Sequence, residues 1–158
     1  MSSPFSPPSG SEPDRRFVLA LGAGMAASIM VRPVRAEPED MTRAILAFTG
    51  GAAPTPGKVA LDIAPLVENG NAVGVEVRVD HPMRADDHVT EIALFTEKNP
   101  QADVAVFHLS PRAGRAHVVT RMRLATSQHV TALARLSDGS FWTDTREVIV
   151  TIAACTED

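Results

Sequence analysis

The stretch VGVEVRV at residues 73–79 alternates valine with small or charged residues, and this alternation decides the fold class. Successive side chains of a β-strand point to opposite faces, so the pattern predicts a strand with one buried and one exposed face. The same period recurs over 58–63, 115–124, 128–136 and 145–152, and two further strands are predicted over 88–96 and 103–109. Turn residues such as Ser137-Asp138-Gly139-Ser140 separate these segments. About seven short strands predict an all-β, immunoglobulin-like antiparallel sandwich.

A short helix and a proline-rich linker are expected before the strands. Met41, Ile45 and Phe48 recur at helical spacing within residues 37–49, and a Gly-Gly pair follows as a helix stop. Prolines in the next residues favour an extended chain. The sequence after residue 36 therefore divides into a helix and linker over 37–56, a sandwich over 57–152, and a C-terminal arm over 153–158.

The first 36 residues are typical of an export signal. Arg15 and Arg16 precede a weakly apolar run over 20–31, which is too short to cross a bilayer as a helix. Paired arginines before such a run are a feature of twin-arginine signals. Small residues around Ala36 suit a signal peptidase. We expect removal of residues 1–36 and a periplasmic mature protein without a membrane span; an amphipathic or buried N-terminal helix is the alternative.

Composition argues against several classes of function. The net charge of −4 gives no basic stripe for nucleic acid, and signal removal leaves 11 basic and 17 acidic residues. One cysteine excludes an intrachain disulfide and a metal site built on several thiolates. The sequence shows no nucleophile elbow, phosphate-binding glycine loop or metal-binding helix motif, so we expect no self-contained enzyme and no cofactor.

The five histidines do not indicate a metal site by their spacing, since none pairs at i, i+2 or i, i+4. A copper or zinc site assembled across strands from His108, His117 and His129 is a weaker alternative, and it would make the protein a metal-binding or redox chaperone. Solvent-facing histidines are the favoured interpretation. The full set is His81, His88, His108, His117 and His129.

Cys155 stands apart because of its position. It lies three residues beyond Ile152, the last residue expected in a strand, and three before the C-terminus. Three extended residues could hold the thiol up to about 10 Å from the domain. A thiol on such an arm could reach into sites on other proteins. The alternative is a residue that packs against a sheet edge.

The sequence resembles the SoxY family, the sulfur-carrying subunits of a periplasmic thiosulfate-oxidising system. The resemblance covers nearly all of residues 44–155, and its most similar segments are 47–51, 57–58, 61–62, 68–71, 79–83, 93–100, 107–108, 111–116 and 137–142. It implies an immunoglobulin-like sandwich that pairs with a second sandwich subunit, SoxZ. It also implies that Cys155 matches the cysteine that carries the sulfur cargo covalently, while separate redox or hydrolytic enzymes do the chemistry.

The C-terminal arm departs from the GGCGG ending of SoxY proper. It resembles instead a SoxY-related group with an Ala-Ala-Cys-Ile-Glu arm, although a threonine replaces the isoleucine. Alanines restrict the backbone more than glycines do. Two acidic side chains and the terminal carboxylate add negative charge, which we expect to raise the pKa of the Cys155 thiol and to lower its nucleophilicity. The residues concerned are Ala153, Ala154, Thr156, Glu157 and Asp158.

Two functions remain open from the sequence. The first is a periplasmic carrier that holds a sulfur or other thiol-linked intermediate on Cys155. The second is a non-catalytic assembly subunit whose cysteine is inert or forms an intermolecular disulfide. A partner subunit is expected in either case, because Val119 and Ile149 place apolar side chains on the second face of their predicted strands.

Overall fold

The computed structural model describes residues 38–152, and they form one helix, one short 3-10 helix and nine strands. In those residues, no helix is long and apolar enough to cross a membrane. The elements are α1 Pro38–Thr49, β1 Thr55–Pro56, β2 Val59–Ile63, β3 Leu66–Asn69, β4 Val73–Val79, β5 Val89–Thr96, β6 Asp103–His108, the 3-10 helix Pro111–Ala113, β7 Ala116–Met122, β8 Gln128–Leu136 and β9 Phe141–Ile152.

The strands form two sheets. The larger has the order β1-β9-β8-β5-β6, with β3 pairing to the same β9 strand, and the smaller has the order β2-β4-β7. Strands β5, β6, β8 and β9 pair antiparallel to their sheet neighbours, as do β2, β4 and β7. β1 and β3 instead run parallel to β9.

The core lies between the two sheets and follows the alternation seen in the sequence. All four valines of β4 are buried, and the residues between them are exposed or half-buried. β8 adds Val130, Ala132 and Ala134 from the facing sheet. Burial of apolar surface at about 25 cal/mol per Å² is the main force that holds such sheets together.

Helix α1 covers the other face of the larger sheet. Ala93, Phe95 and Leu133 are buried there beneath the apolar face of α1. Phe48 of α1 contacts Phe95 edge-on, with ring centroids 5.9 Å apart. The molecule therefore has three layers, which are a helix, a six-stranded sheet and a three-stranded sheet.

The all-β sandwich preceded by a short helix is confirmed, but the expected seven strands are two too few and the expected antiparallel pairing is incomplete. β1 lies within the expected linker, where two residues are too few to show a period. β3 has no alternation of buried and exposed residues, so no pattern marks it. β9 begins at Phe141, four residues before the expected start at residue 145.

Candidate functional site

Strand β9 leads to the C-terminal arm and is held on one side as far as Ile152 and on the other as far as Val150. On one side β3 pairs with it, and Asn69 lies opposite Ile152. On the other side the Ser127 hydroxyl accepts a hydrogen bond of 2.9 Å from the Val150 amide. The Thr151 hydroxyl donates to the Glu68 carbonyl at 3.1 Å. The backbone that precedes the arm is therefore fixed through Ile152.

The sequence-predicted site residues themselves lie outside the described residues. Cys155 and the arm over 153–158 follow the last described residue, and the signal residues Arg15, Arg16 and Ala36 precede the first. The structure thus locates the point from which the arm leaves the domain. The position of Cys155 stays a prediction.

A polar network links the loops at the end of the sandwich where β9 stops. The Asn99 side-chain amide donates to the Arg123 carbonyl at 2.8 Å, and its oxygen accepts from the Ala125 amide at 2.9 Å. The buried Gln128 side chain donates to the same Asn99 oxygen and accepts from the Lys98 amide at 2.7 Å. Buried polar groups that are satisfied in this way hold loops in one arrangement. Sequence reasoning gave no role to Gln128, and Asn99 appeared in it only within the segment 93–100 of the family resemblance.

A hydrogen-bonded histidine–glutamate pair lies beside this network. His129 Nδ1 is 2.9 Å from a Glu97 carboxylate oxygen, which also accepts the His129 backbone amide at 3.2 Å. The hydrogen bond from the His129 side chain, with help from that amide, holds the pKa of Glu97 below its ordinary value of 4.5, although partial burial opposes it. A carboxylate with a lowered pKa stabilises the fold above that ordinary value, and the contribution is lost as the pH falls through the lowered pKa.

We therefore expect Glu97→Gln to lower the urea midpoint at pH 7, because a neutral amide oxygen accepts the hydrogen bonds of His129 less strongly than a carboxylate does. The difference from the wild type should shrink as the pH falls through the lowered pKa of Glu97, where the wild-type carboxyl also becomes neutral. Urea unfolding at a series of pH values measures this. Glu68→Gln is the matched control, since within residues 38–152 that exposed side chain forms no ion pair. A Glu97→Gln effect that is equal at all pH values would contradict the assignment.

The structure does not bring the histidines of separate strands together. His108 lies 3.2 Å from Glu91, His117 lies 2.6 Å from Glu76, and His129 pairs with Glu97. His81 lies 3.2 Å from Asp87. Between residues 38 and 152, no group of three His, Cys, Asp or Glu residues is placed to hold a metal ion. The three strand histidines of the chaperone alternative are thus each engaged by a different carboxylate.

A family model described as "Sulfur oxidation protein SoxY" matches residues 45–155, which is well over half of the chain. The chain belongs to the SoxY family. The matched span includes the polar network of Asn99 and Gln128, the whole sandwich and the arm as far as Cys155. A search of curated proteins gives no significant match.

Solved structures agree with the family assignment. The sulfur carrier protein SoxY from Chlorobium limicola f thiosulfatophilum is 27% identical with a TM-score of 0.61, and the alignment covers 71% of this chain and 92% of that one. This SoxY-family chain also resembles the superoxide reductase (neelaredoxin) of Ignicoccus hospitalis, at 17% identity, a TM-score of 0.54 and coverage of 60% and 80%. For the superoxide reductase of Nanoarchaeum equitans the values are 12%, 0.52, 61% and 100%. At such low identity these two likenesses show the fold alone.

Proposed function

We propose that this SoxY-family chain carries a sulfur-linked intermediate covalently on Cys155 for the enzymes of a sulfur-oxidation pathway. The observation that carries the proposal is the family match, which extends beyond the sandwich to Cys155. The structure supports it with a strand that is fixed as far as Ile152, three residues before the thiol. A fixed base and a short arm keep the cysteine at the end of the domain, where other proteins can reach it.

In this proposal other proteins catalyse the reactions of the cargo, so the chain is a carrier and not an enzyme. Its periplasmic location, reached through a twin-arginine signal that ends at Ala36, is part of the same proposal. Separate redox or hydrolytic enzymes would load, oxidise and release the cargo. A small acidic domain with one thiol provides the attachment point, because a thiolate is the side chain best suited to forming a bond to sulfur.

A second sandwich subunit of the SoxZ type is proposed as the structural partner. Leu66 and Ile149 are paired neighbours on β3 and β9, and both side chains are more than half exposed. Val119 on the outer face of the smaller sheet is 69% exposed. Exposed apolar side chains at several places on a small domain favour a protein partner that covers some of them.

The experiment that tests the carrier role is the intact mass of the protein from its native periplasm, measured without and then with reductant. We expect a mass that starts at Glu37 plus an adduct that reductant removes. The size of the adduct identifies the cargo. A Cys155→Ser chain purified in the same way is the control and should carry no adduct. A bare thiol or a disulfide dimer would overturn the carrier role in favour of the assembly subunit.

A further inference from the structure

The arginines that form no ion pair among the described residues are concentrated on and beside one strand, β7. Nine arginines lie between residues 38 and 152, and five of them pair with a carboxylate. The other four form no ion pair within the described part of the chain, and all are exposed. They lie on β7 or within four residues of it, at Arg112, Arg115, Arg121 and Arg123.

Strand β7 places Arg121 on the open face of the smaller sheet, Arg123 directly follows the strand, and Arg112 and Arg115 precede it. It is an edge strand, since the sheet order is β2-β4-β7. Arg121 lies opposite Gly74 of β4, and a Cβ placed on Gly74 would meet no atom within 4 Å. The neighbouring strand thus leaves the Arg121 side chain uncovered. Of the carboxylates on the same face, Glu76 is engaged by His117 and Arg78, and Asp62 lies two strands away on β2.

Two of the four arginines lie at the end of the sandwich from which the arm leaves. Ile152 pairs with Asn69, and the next residue, Gly70, accepts a hydrogen bond of 2.9 Å from the amide of Leu124. The three Cα–Cα steps from Ile152 to Asn69, from Asn69 to Gly70 and from Gly70 to Leu124 add up to about 15 Å. Arg123 directly precedes Leu124. Arg112 and Arg115 lie at the opposite end of β7, because Ala116 pairs with Val79.

The arm carries the complementary charge and has the necessary length. Glu157 and Asp158 follow Cys155 closely. The segment from Ile152 to Glu157 reaches about 17 Å when it is extended. Acidic side chains on the other face of the sandwich, such as Glu68, would repel the same segment. Lys98 adds a third cation at this end, where its ammonium donates to the Ser127 carbonyl at 3.1 Å.

We propose that Arg121 and Arg123 bind the acidic end of the arm, so that Cys155 is held beside the edge of the smaller sheet between visits to partner enzymes. The guanidinium groups would pair with the carboxylates of Glu157 and Asp158 and offset the negative charge beside the thiol. Two exposed ion pairs of ordinary strength give a ratio of bound to free arm of roughly twofold to thirtyfold. The contact is therefore weak enough for a partner to displace. The inference deepens the proposed carrier role, but it concerns where the arm rests and does not require a cargo.

The single cysteine allows a direct test, because a nitroxide spin label attached at Cys155 broadens the NMR signals of amides near it. In ¹⁵N-labelled protein at 0.01 M salt, where the Debye length is about 30 Å, we expect broadening of the amides of Arg121, Arg123 and Leu124. At 1 M NaCl the Debye length falls to about 3 Å and the signals should recover. Glu157→Gln with Asp158→Asn should have the same effect as salt.

Matched variants of β7 decide the role of the arginines. Arg121→Gln with Arg123→Gln should abolish the broadening, whereas Arg112→Gln with Arg115→Gln, which removes equal charge from the far end of the strand, should leave it. The amide spectrum of each variant reports whether it is folded.

Broadening that is absent at low salt, that survives the first pair of substitutions, or that falls on Glu68 and Ile149 instead would overturn the proposal. So would broadening in ¹⁵N-labelled protein without a spin label when it is mixed with spin-labelled protein, since that would show binding to a second copy. None of these outcomes decides whether Cys155 carries a cargo, which the intact mass tests separately.

Discussion

Cys155→Ser is expected to reduce oxidation of the sulfur compound identified from the Cys155 adduct to the level of cells that lack the protein. A serine hydroxyl cannot form the bond to sulfur that a thiolate forms. No other cysteine in the chain can replace it. The measurement is substrate-dependent oxygen uptake by cells that express the variant in place of the wild-type protein. The loss should be complete and not partial, because a carrier without its attachment point delivers nothing.

The control for this substitution separates carrying from assembly. Thr156→Ser changes the adjacent arm residue and should retain wild-type oxidation. The Cys155→Ser protein should also keep its thermal stability and should bind the proposed SoxZ-like subunit as the wild type does, because the substitution lies beyond the last described strand residue. If oxidation is unchanged in Cys155→Ser, the chain is an assembly subunit and the carrier role is wrong.

Alternation in the sequence was sufficient to predict the strands of the core that have one exposed face. β4 and β2 follow it strictly, because one face of each packs on the facing sheet and the other meets solvent. β5 and β8 show longer buried runs, since α1 covers their second face. The sequence predicted both the helix and these strands, but no pattern in it predicted that the helix packs on them. Which sheet the helix covers depends on contacts between residues that are far apart in the chain.

The strands beside the arm show why sequence patterns are incomplete. β3 is four residues long and its neighbours are Pro65 and a turn, so nothing in its composition distinguishes it from a loop. Its parallel pairing with β9 nevertheless fixes the base of the arm. Arg115, Arg121 and Arg123 all lie at odd positions of the predicted strand over 115–124, which puts them on one face. Their lack of carboxylate partners among residues 38–152, and the closeness of two of them to the end of β9, depend on the pairing of β4 with β7 and on the hydrogen bond between Leu124 and Gly70.

Phe95→Ala is expected to destabilise the domain more than a substitution at an exposed position of either sheet. The Phe95 side chain is 2% exposed and packs between the larger sheet and α1. Its removal loses buried apolar surface and leaves a cavity that rigid strands cannot close, at a typical cost of about 3–5 kcal/mol in the free energy of unfolding. Since the free energy of unfolding of a small domain is only about 5–15 kcal/mol, the variant should retain only a small part of its stability. Urea unfolding followed by circular dichroism measures the change.

Two further variants show whether the loss arises from the contact with α1. Val119→Ala, at an exposed apolar position on the smaller sheet, is the control and should change stability by no more than about 0.5 kcal/mol. Phe48→Ala removes the ring that contacts Phe95 edge-on. The double variant should lose less than the sum of the two single losses, by about 0.5–1.5 kcal/mol, because both single variants remove the same ring contact. Additive losses would mean that α1 does not pack on Phe95 in solution, and the three-layer arrangement would then be wrong at this face.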